Sequence, residues 1–233
     1  MTIGRTTSRK YLATMLAIAA SASWAQTGEN EKLSDDPTKI VTKIGVRYSD
    51  FGTLFGSVAF GPVIKINISV SEDDQLRIGG SYLFDFGIVN FSASEQELES
   101  GVKQTQYAIG TFVPLAAFGV QPKGWLLFPA LGANYTDGRI SNSDFEFADA
   151  FPAEIASKGG YIGILGLKPL SERWVVKTGG VLSAGSNDYS GYTIGAVVTF
   201  NASPDDSISV FGSHIDNSFG TRDLVGISYT HEF

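Results

Sequence analysis

The sequence predicts an all-β protein: a single transmembrane, antiparallel, up-and-down β-barrel of about ten strands, with eight or twelve as the alternatives. Three observations carry this. The chain closes on an alternating run, Leu224 to Phe233. Val225, Ile227, Tyr229 and Phe233 share one face of it and Gly226, Ser228, Thr230 and Glu232 the other, because strand side chains alternate with period two. Nine earlier segments alternate in the same way. After the first 25 residues no apolar run approaches the ~18 residues that a membrane helix needs, whereas a barrel strand crosses with only every second residue apolar.

The chain begins with a basic patch (Arg5, Arg9, Lys10), a short apolar stretch from Leu12 to Ala22, and small residues at Ser23 and Ala25. This pattern is that of an export signal over 1–25, cleaved between Ala25 and Gln26. Residues 26–37 are polar and acidic without periodicity and read as a flexible periplasmic lead-in. The barrel then occupies 38–233.

The strand segments in order are Ile40–Tyr48, Pro62–Ser71, Leu76–Phe91, Gln104–Pro114, Gly124–Tyr135, Gly160–Lys168, Arg173–Ser183, Gly191–Asn201, Ser207–His214 and Leu224–Phe233. Short connections, beginning with Glu72-Asp73-Asp74, are assigned to the periplasmic end. Longer ones, such as Ser49–Gly61, Ser92–Lys103 and Thr136–Gly159, are assigned to the outside. Pro114 and Pro129 each predict a strand end or a bulge.

Composition narrows the function. Of 17 basic side chains three lie in the leader, against 24 acidic ones, which disfavours nucleic acid as a partner. There is no cysteine, hence no disulfide and no lipid-modified cysteine. No metal-ligand spacing, phosphate loop or dinucleotide motif is present, so no metal and no cofactor are expected.

A basic residue facing lipid at mid-depth costs roughly 2–4 kcal/mol, so the charges of the strands belong inside. That choice sets the register and gives a lumen containing Lys43, Arg47, Lys65, Arg77 and Lys177, with Asp85 and Glu232 as anions. Two readings follow: a salt-bridge network that holds the barrel shut, or a narrow passage whose cationic lining favours anions. Glycines on the inward faces, among them Gly45, Gly79, Gly179, Gly195 and Gly226, relieve crowding.

Two other classes compete. Ser213-His214-Ile-Asp216, at the outer end of a strand, offers His214 as a base with Asp216 or Asp188 nearby, the elements of a hydrolase acting on lipid A or peptide. A soluble β-barrel binding a small apolar ligand would need an apolar interior, against which the inward lysines and arginines weigh. The acidic, aromatic loop Thr136–Gly159 has the residues to bind divalent cations, touch a partner or fold over the mouth, and reads first as a solvated loop whose aromatics pack on the rim; Glu95, Glu97 and Glu99 read as solvated charge. His231, in the last strand, reads as interfacial.

The export signal, the alternating hairpins and the ending Val-Gly-Ile-Ser-Tyr-Thr-His-Glu-Phe resemble those of small, porin-like outer-membrane β-barrel proteins of Gram-negative bacteria. The resemblance implies an outer-membrane location, lipid as surroundings, a monomer, and a structural or porin-like role. It also implies that Val225, Ile227, Tyr229 and Phe233 are the signal read by the barrel-assembly machinery. His231 departs from the pattern, where an aromatic or aliphatic residue is usual.

Overall fold

The computed structural model describes residues 32–33, 35–73, 75–97, 103–137, 158–218 and 220–233. Twelve antiparallel strands form one closed barrel in which each pairs with its neighbour in sequence, and the first pairs with the last. They are β1 (Lys43–Tyr48), β2 (Gly52–Phe60), β3 (Ile64–Ser71), β4 (Leu76–Phe84), β5 (Gly87–Glu97), β6 (Lys103–Phe112), β7 (Leu126–Asp137), β8 (Lys158–Pro169), β9 (Trp174–Gly185), β10 (Ser190–Asn201), β11 (Asp206–Asn217) and β12 (Gly220–Glu232). Closure is the pairing of Lys43 with Glu232 through Tyr48 with Ile227. A closed sheet leaves no unpaired edge, which is what a spanning β structure requires.

The strand count is twelve rather than ten, for two local reasons. The segment Ser49–Gly61 holds a whole strand, β2, which pairs with both β1 and β3. Its alternation is blurred because Phe55 and Ala59 lie on the inward face while Gly56 lies on the outward one. Leu76–Phe91 is two strands joined at Asp85-Phe86, not one. Tyr82, Phe84 and Phe86 continue the aromatic alternation across that turn, with the rings of Phe84 and Phe86 stacked at 5.3 Å. Gly87 follows at φ 156°, and a Cβ there would overlap the Phe112 carbonyl. The two errors cancel in parity beyond β5. Between them, β3 runs in the opposite direction to that expected, and Glu72 sits at the far end of the barrel from the start of β1. There its carboxylate accepts the Gly52 N–H at 2.9 Å.

Large apolar side chains cover the outside. Ile66, Ile78, Ile109, Leu131, Ile162, Leu182, Ile194, Val210 and Ile227 are all roughly half exposed or more. Aromatic residues stand at both ends of this belt, among them Phe60, Phe84, Trp174 and Tyr229 at the terminal end, and Tyr48, Tyr135 and Tyr192 at the far end. A soluble monomer rarely exposes so wide an apolar surface, and aromatic girdles mark lipid interfaces. An apolar exterior is the reverse of what a soluble ligand-binding barrel presents.

Three inward rings lie over glycines of neighbouring strands: Phe55 over Gly45, Phe211 over Gly226, and Tyr161 over both Gly132 and Gly110. A Cβ at any of these glycines would overlap the ring. Pro114 ends β6 before a short 3-10 turn. Pro129 lies within β7 without breaking it. Its carbonyl accepts the Val113 N–H at 3.0 Å, just past the last paired residue of β6, so the missing N–H falls where that ladder stops.

Candidate functional site

The interior is divided. Among the described residues, the arc from β12 through β1 to β4 turns five cations inward: Arg222, Lys43, Arg47, Lys65 and Arg77, with Glu232 as its anion. The arc from β5 to β11 turns in glycine, serine, threonine, asparagine, Gln106, Tyr161 and apolar residues, with Lys177 as its one charge among the described side chains. At the terminal end that second arc packs a core of Ile88, Phe112, Phe128, Leu165 and Leu167, with Val181, Val197 and Phe211.

The described part of the lead-in, residues 32, 33 and 35–37, and the residues after it turn into the lumen. Thr38, Ile40, Val41 and Thr42 are buried, and Leu33 and Ile40 pack against the lumenal core. The Thr42 hydroxyl accepts the Ala59 N–H at 3.1 Å, the Ser57 hydroxyl donates to the Val41 carbonyl at 2.7 Å, and the Phe233 N–H donates to the Thr42 carbonyl at 2.9 Å. Two ion pairs fasten the segment further in. Lys39 Nζ meets Glu232 Oε2 at 2.5 Å, and Asp35 Oδ1 meets Lys177 Nζ at 3.2 Å. Lys65 Nζ donates to the Lys39 carbonyl at 3.2 Å. The Arg47 guanidinium stands over the Phe55 ring, 5.5 Å from its centre. The segment and the cationic arc together enclose a cavity of about 170 Å³, which Lys43, Lys65, Arg77 and Asn67 help to line.

Burial by itself raises the Asp35 carboxyl pKa. The Lys177 charge and its hydrogen bond, the nearby Thr199 hydroxyl and the Lys43 charge outweigh it, so Asp35 titrates below its ordinary 3.8. It is an anion throughout the neutral range.

Of the lumenal residues picked from the sequence, Lys43, Arg47, Lys65, Arg77, Lys177 and Glu232 lie on inward faces. Asp85 does not: it is exposed on the β4–β5 turn, because the strand it was assigned to ends at Phe84. Arg222 escaped the sequence reading because it fell in a segment taken as loop. In the structure it faces inward opposite Ile215 and reaches Asp50 at 2.5 Å. The signal for it was the continuation of the β12 alternation upstream of Leu224. Asp35 and Lys39 escaped because an aperiodic segment carries no face.

The hydrolase string does not assemble. Ser213 turns into the lumen while His214 and Asp216 turn outward, as neighbours in a strand must. His214 Nδ1 pairs across the sheet with Asp223 Oδ1 at 2.8 Å, not with Asp216 or Asp188. Asp188 lies in the tight turn after β9 with φ 58°. The acidic loop falls at 138–157 outside the described residues. Glu95 is exposed on the outer face of β5.

Val225, Ile227, Tyr229 and Phe233 all lie on the outward face of the closing end of the chain. His231 shares that face. Its Nδ1 sits 2.9 Å from Asp206 Oδ1, the Tyr229 hydroxyl donates to the same oxygen at 2.6 Å, and its ring meets Phe233 edge-on at 4.7 Å.

No protein-family model matches the chain. No curated protein is similar to it in sequence. Solved structures are similar in fold. The NanC porin superposes with a TM-score of 0.52 at 9% identity, covering 82% of this chain and 98% of that one. The KdgM porin in complex with disordered oligogalacturonate gives 0.50 at 10%, covering 82% and 98%. The translocator domain of autotransporter NalP from Neisseria meningitidis gives 0.53 at 11%, covering 97% and 98%. At these identities the likeness concerns the fold alone, a closed antiparallel β-barrel.

Proposed function

We propose that this protein is exported by its 1–25 leader, cleaved after Ala25, and assembled as a monomer in the outer membrane of a Gram-negative bacterium, where it forms a narrow, porin-like passage for small anionic solutes. The apolar belt and its aromatic rims support the membrane setting. The C-terminal face of Val225, Ile227, Tyr229 and Phe233 supports handling by the assembly machinery. The reading of the lumen rests on one observation: four cations of one arc, Lys43, Arg47, Lys65 and Arg77, face a cavity between themselves and an uncharged arc. Cations fixed at the wall of a water-filled constriction lower the cost of bringing an anion through it and raise that of a cation. The KdgM porin binds an acidic saccharide in its structure, but the case for anions here rests on this chain's own side chains.

The test is fractionation followed by reconstitution. The account expects the protein in the outer-membrane fraction, running at different mobility with and without boiling, and giving discrete current steps in a planar bilayer. Recovery as a soluble protein without a mobility shift overturns the membrane reading. A folded barrel that conducts nothing, even without residues 26–41, overturns the passage.

A further inference from the structure

Lys177 is a charge in the wrong neighbourhood. It pairs across the sheet with Leu167 on one side and Val197 on the other, and Val175 precedes it on the same inward face. Its side chain is only 16% exposed. An ammonium held in such surroundings needs an anion, since the cost of stripping its water is not met by the wall around it. The uncharged arc supplies none among the described side chains, and the anion comes instead from the N-terminal segment as Asp35.

We propose that Lys177 is a carboxylate-binding subsite of the passage, and that Asp35 occupies it as a tethered stand-in for the solute. Three features fit a stand-in rather than a permanent strut. The contact is a single hydrogen bond at 3.2 Å from one ammonium, not a bidentate clasp. Asp35 belongs to a segment with no strand pairing of its own, which is fastened further along by the Lys39–Glu232 pair. The pair lies beside the cavity that the passage must use. A solute carboxylate and Asp35 then compete for one ammonium, so the solute that needs the route helps to clear it. Neither occupant leaves Lys177 without a partner.

This subsite rests on the reading of the lumen as an anion passage, and the experiment keeps the two apart. The chain has no cysteine, so Thr38→Cys places a single thiol in the segment, at a position now 3% exposed. Maleimide labelling of the refolded barrel reports how often the segment leaves the lumen. Succinate is the probe, and a neutral diol of the same length is the control. The proposal expects Asp35→Asn and Lys177→Gln each to speed labelling about tenfold, the scale of one lost hydrogen bond to a charged group. Succinate, unlike the diol, is expected to speed labelling of the parent and to leave Lys177→Gln unchanged.

The swapped pair Asp35→Lys with Lys177→Asp guards against misfolding. It restores slow labelling and loses the response to succinate. Labelling that ignores both substitutions overturns the proposal, as does a parent indifferent to succinate. Bilayer current of the chain lacking 26–41 tests the passage separately. No current there, together with a succinate-sensitive parent, rejects the passage and keeps the carboxylate site.

Discussion

The two arcs of the lumen are built from the same element and do different work. From β5 to β11 the inward face is glycine, small polar residues and a buried apolar core around Phe128, which is 1% exposed. From β12 to β4 five cations and one glutamate stand among small, polar and a few apolar residues. The first arc is sealed by shape, with Tyr161 laid over Gly132 and Gly110. The second concentrates charge, with Arg47 over the Phe55 ring, Lys65 donating to the Lys39 carbonyl and Arg222 paired with Asp50. A barrel interior is thus not one environment. Residue choice packs an apolar core on one set of strands and concentrates charge on the other.

Substitutions separate the two. Phe128→Ala empties the centre of the core and is expected to cost about 3–5 kcal/mol, read as a lower temperature at which the unboiled form loses its distinct gel mobility. Gly132→Ala pushes a methyl into the Tyr161 ring and is expected to cost about 1–3 kcal/mol. Gly80→Ala, whose Cβ meets nothing within 4 Å, should leave that temperature unchanged. An equal effect at both glycines would break the claim that the uncharged arc is sealed by ring-on-glycine packing.

On the charged arc, Arg47→Ser removes the contact with Phe55, worth about 0.5–1 kcal/mol, and is expected to shift the ion preference of the current. His214→Ala, outside the lumen and paired with an exposed Asp223, is expected to change stability by less than about 1 kcal/mol and to leave the current as it was.

The N-terminal segment responds to pH through Asp35. A carboxyl whose folded pKa lies below its ordinary 3.8 stabilises the folded form fully above that value, and the contribution is lost as pH falls through the lower folded pKa. Hydrogen exchange at residues 35–39, corrected for intrinsic rate, should therefore be flat from neutral to mildly acidic pH and rise only below 3.8. A rise near neutrality would contradict the Asp35–Lys177 contact.

Much of this was legible in advance, and the reasons are local. Where the outward set is aliphatic and the inward set polar, as in Pro62–Ser71 and Gly191–Asn201, period two declares the strand and its face. β2 escaped because Phe55 and Ala59 blur its inward face and Gly56 its outward one. The Asp85-Phe86 turn escaped because aromatics alternate straight through it. Lys43, Arg47, Lys65 and Arg77 could be assigned inward because lipid forbids the alternative. The role of Asp35 and Lys39 could not, since nothing in an aperiodic segment says that it folds back into the lumen. His214 illustrates the reverse hazard: adjacency in sequence with Ser213 placed the two on opposite faces of the wall.

The claim on which the rest depends is that the charged arc sets what passes. Its most direct test is the zero-current potential across a KCl gradient, for the chain lacking 26–41 and for the same chain carrying Arg47→Glu and Arg77→Glu. The account predicts a potential of the sign of chloride preference in the first, moving towards potassium preference in the second. A potassium-preferring parent, or a potential that the two reversals leave untouched, would contradict it.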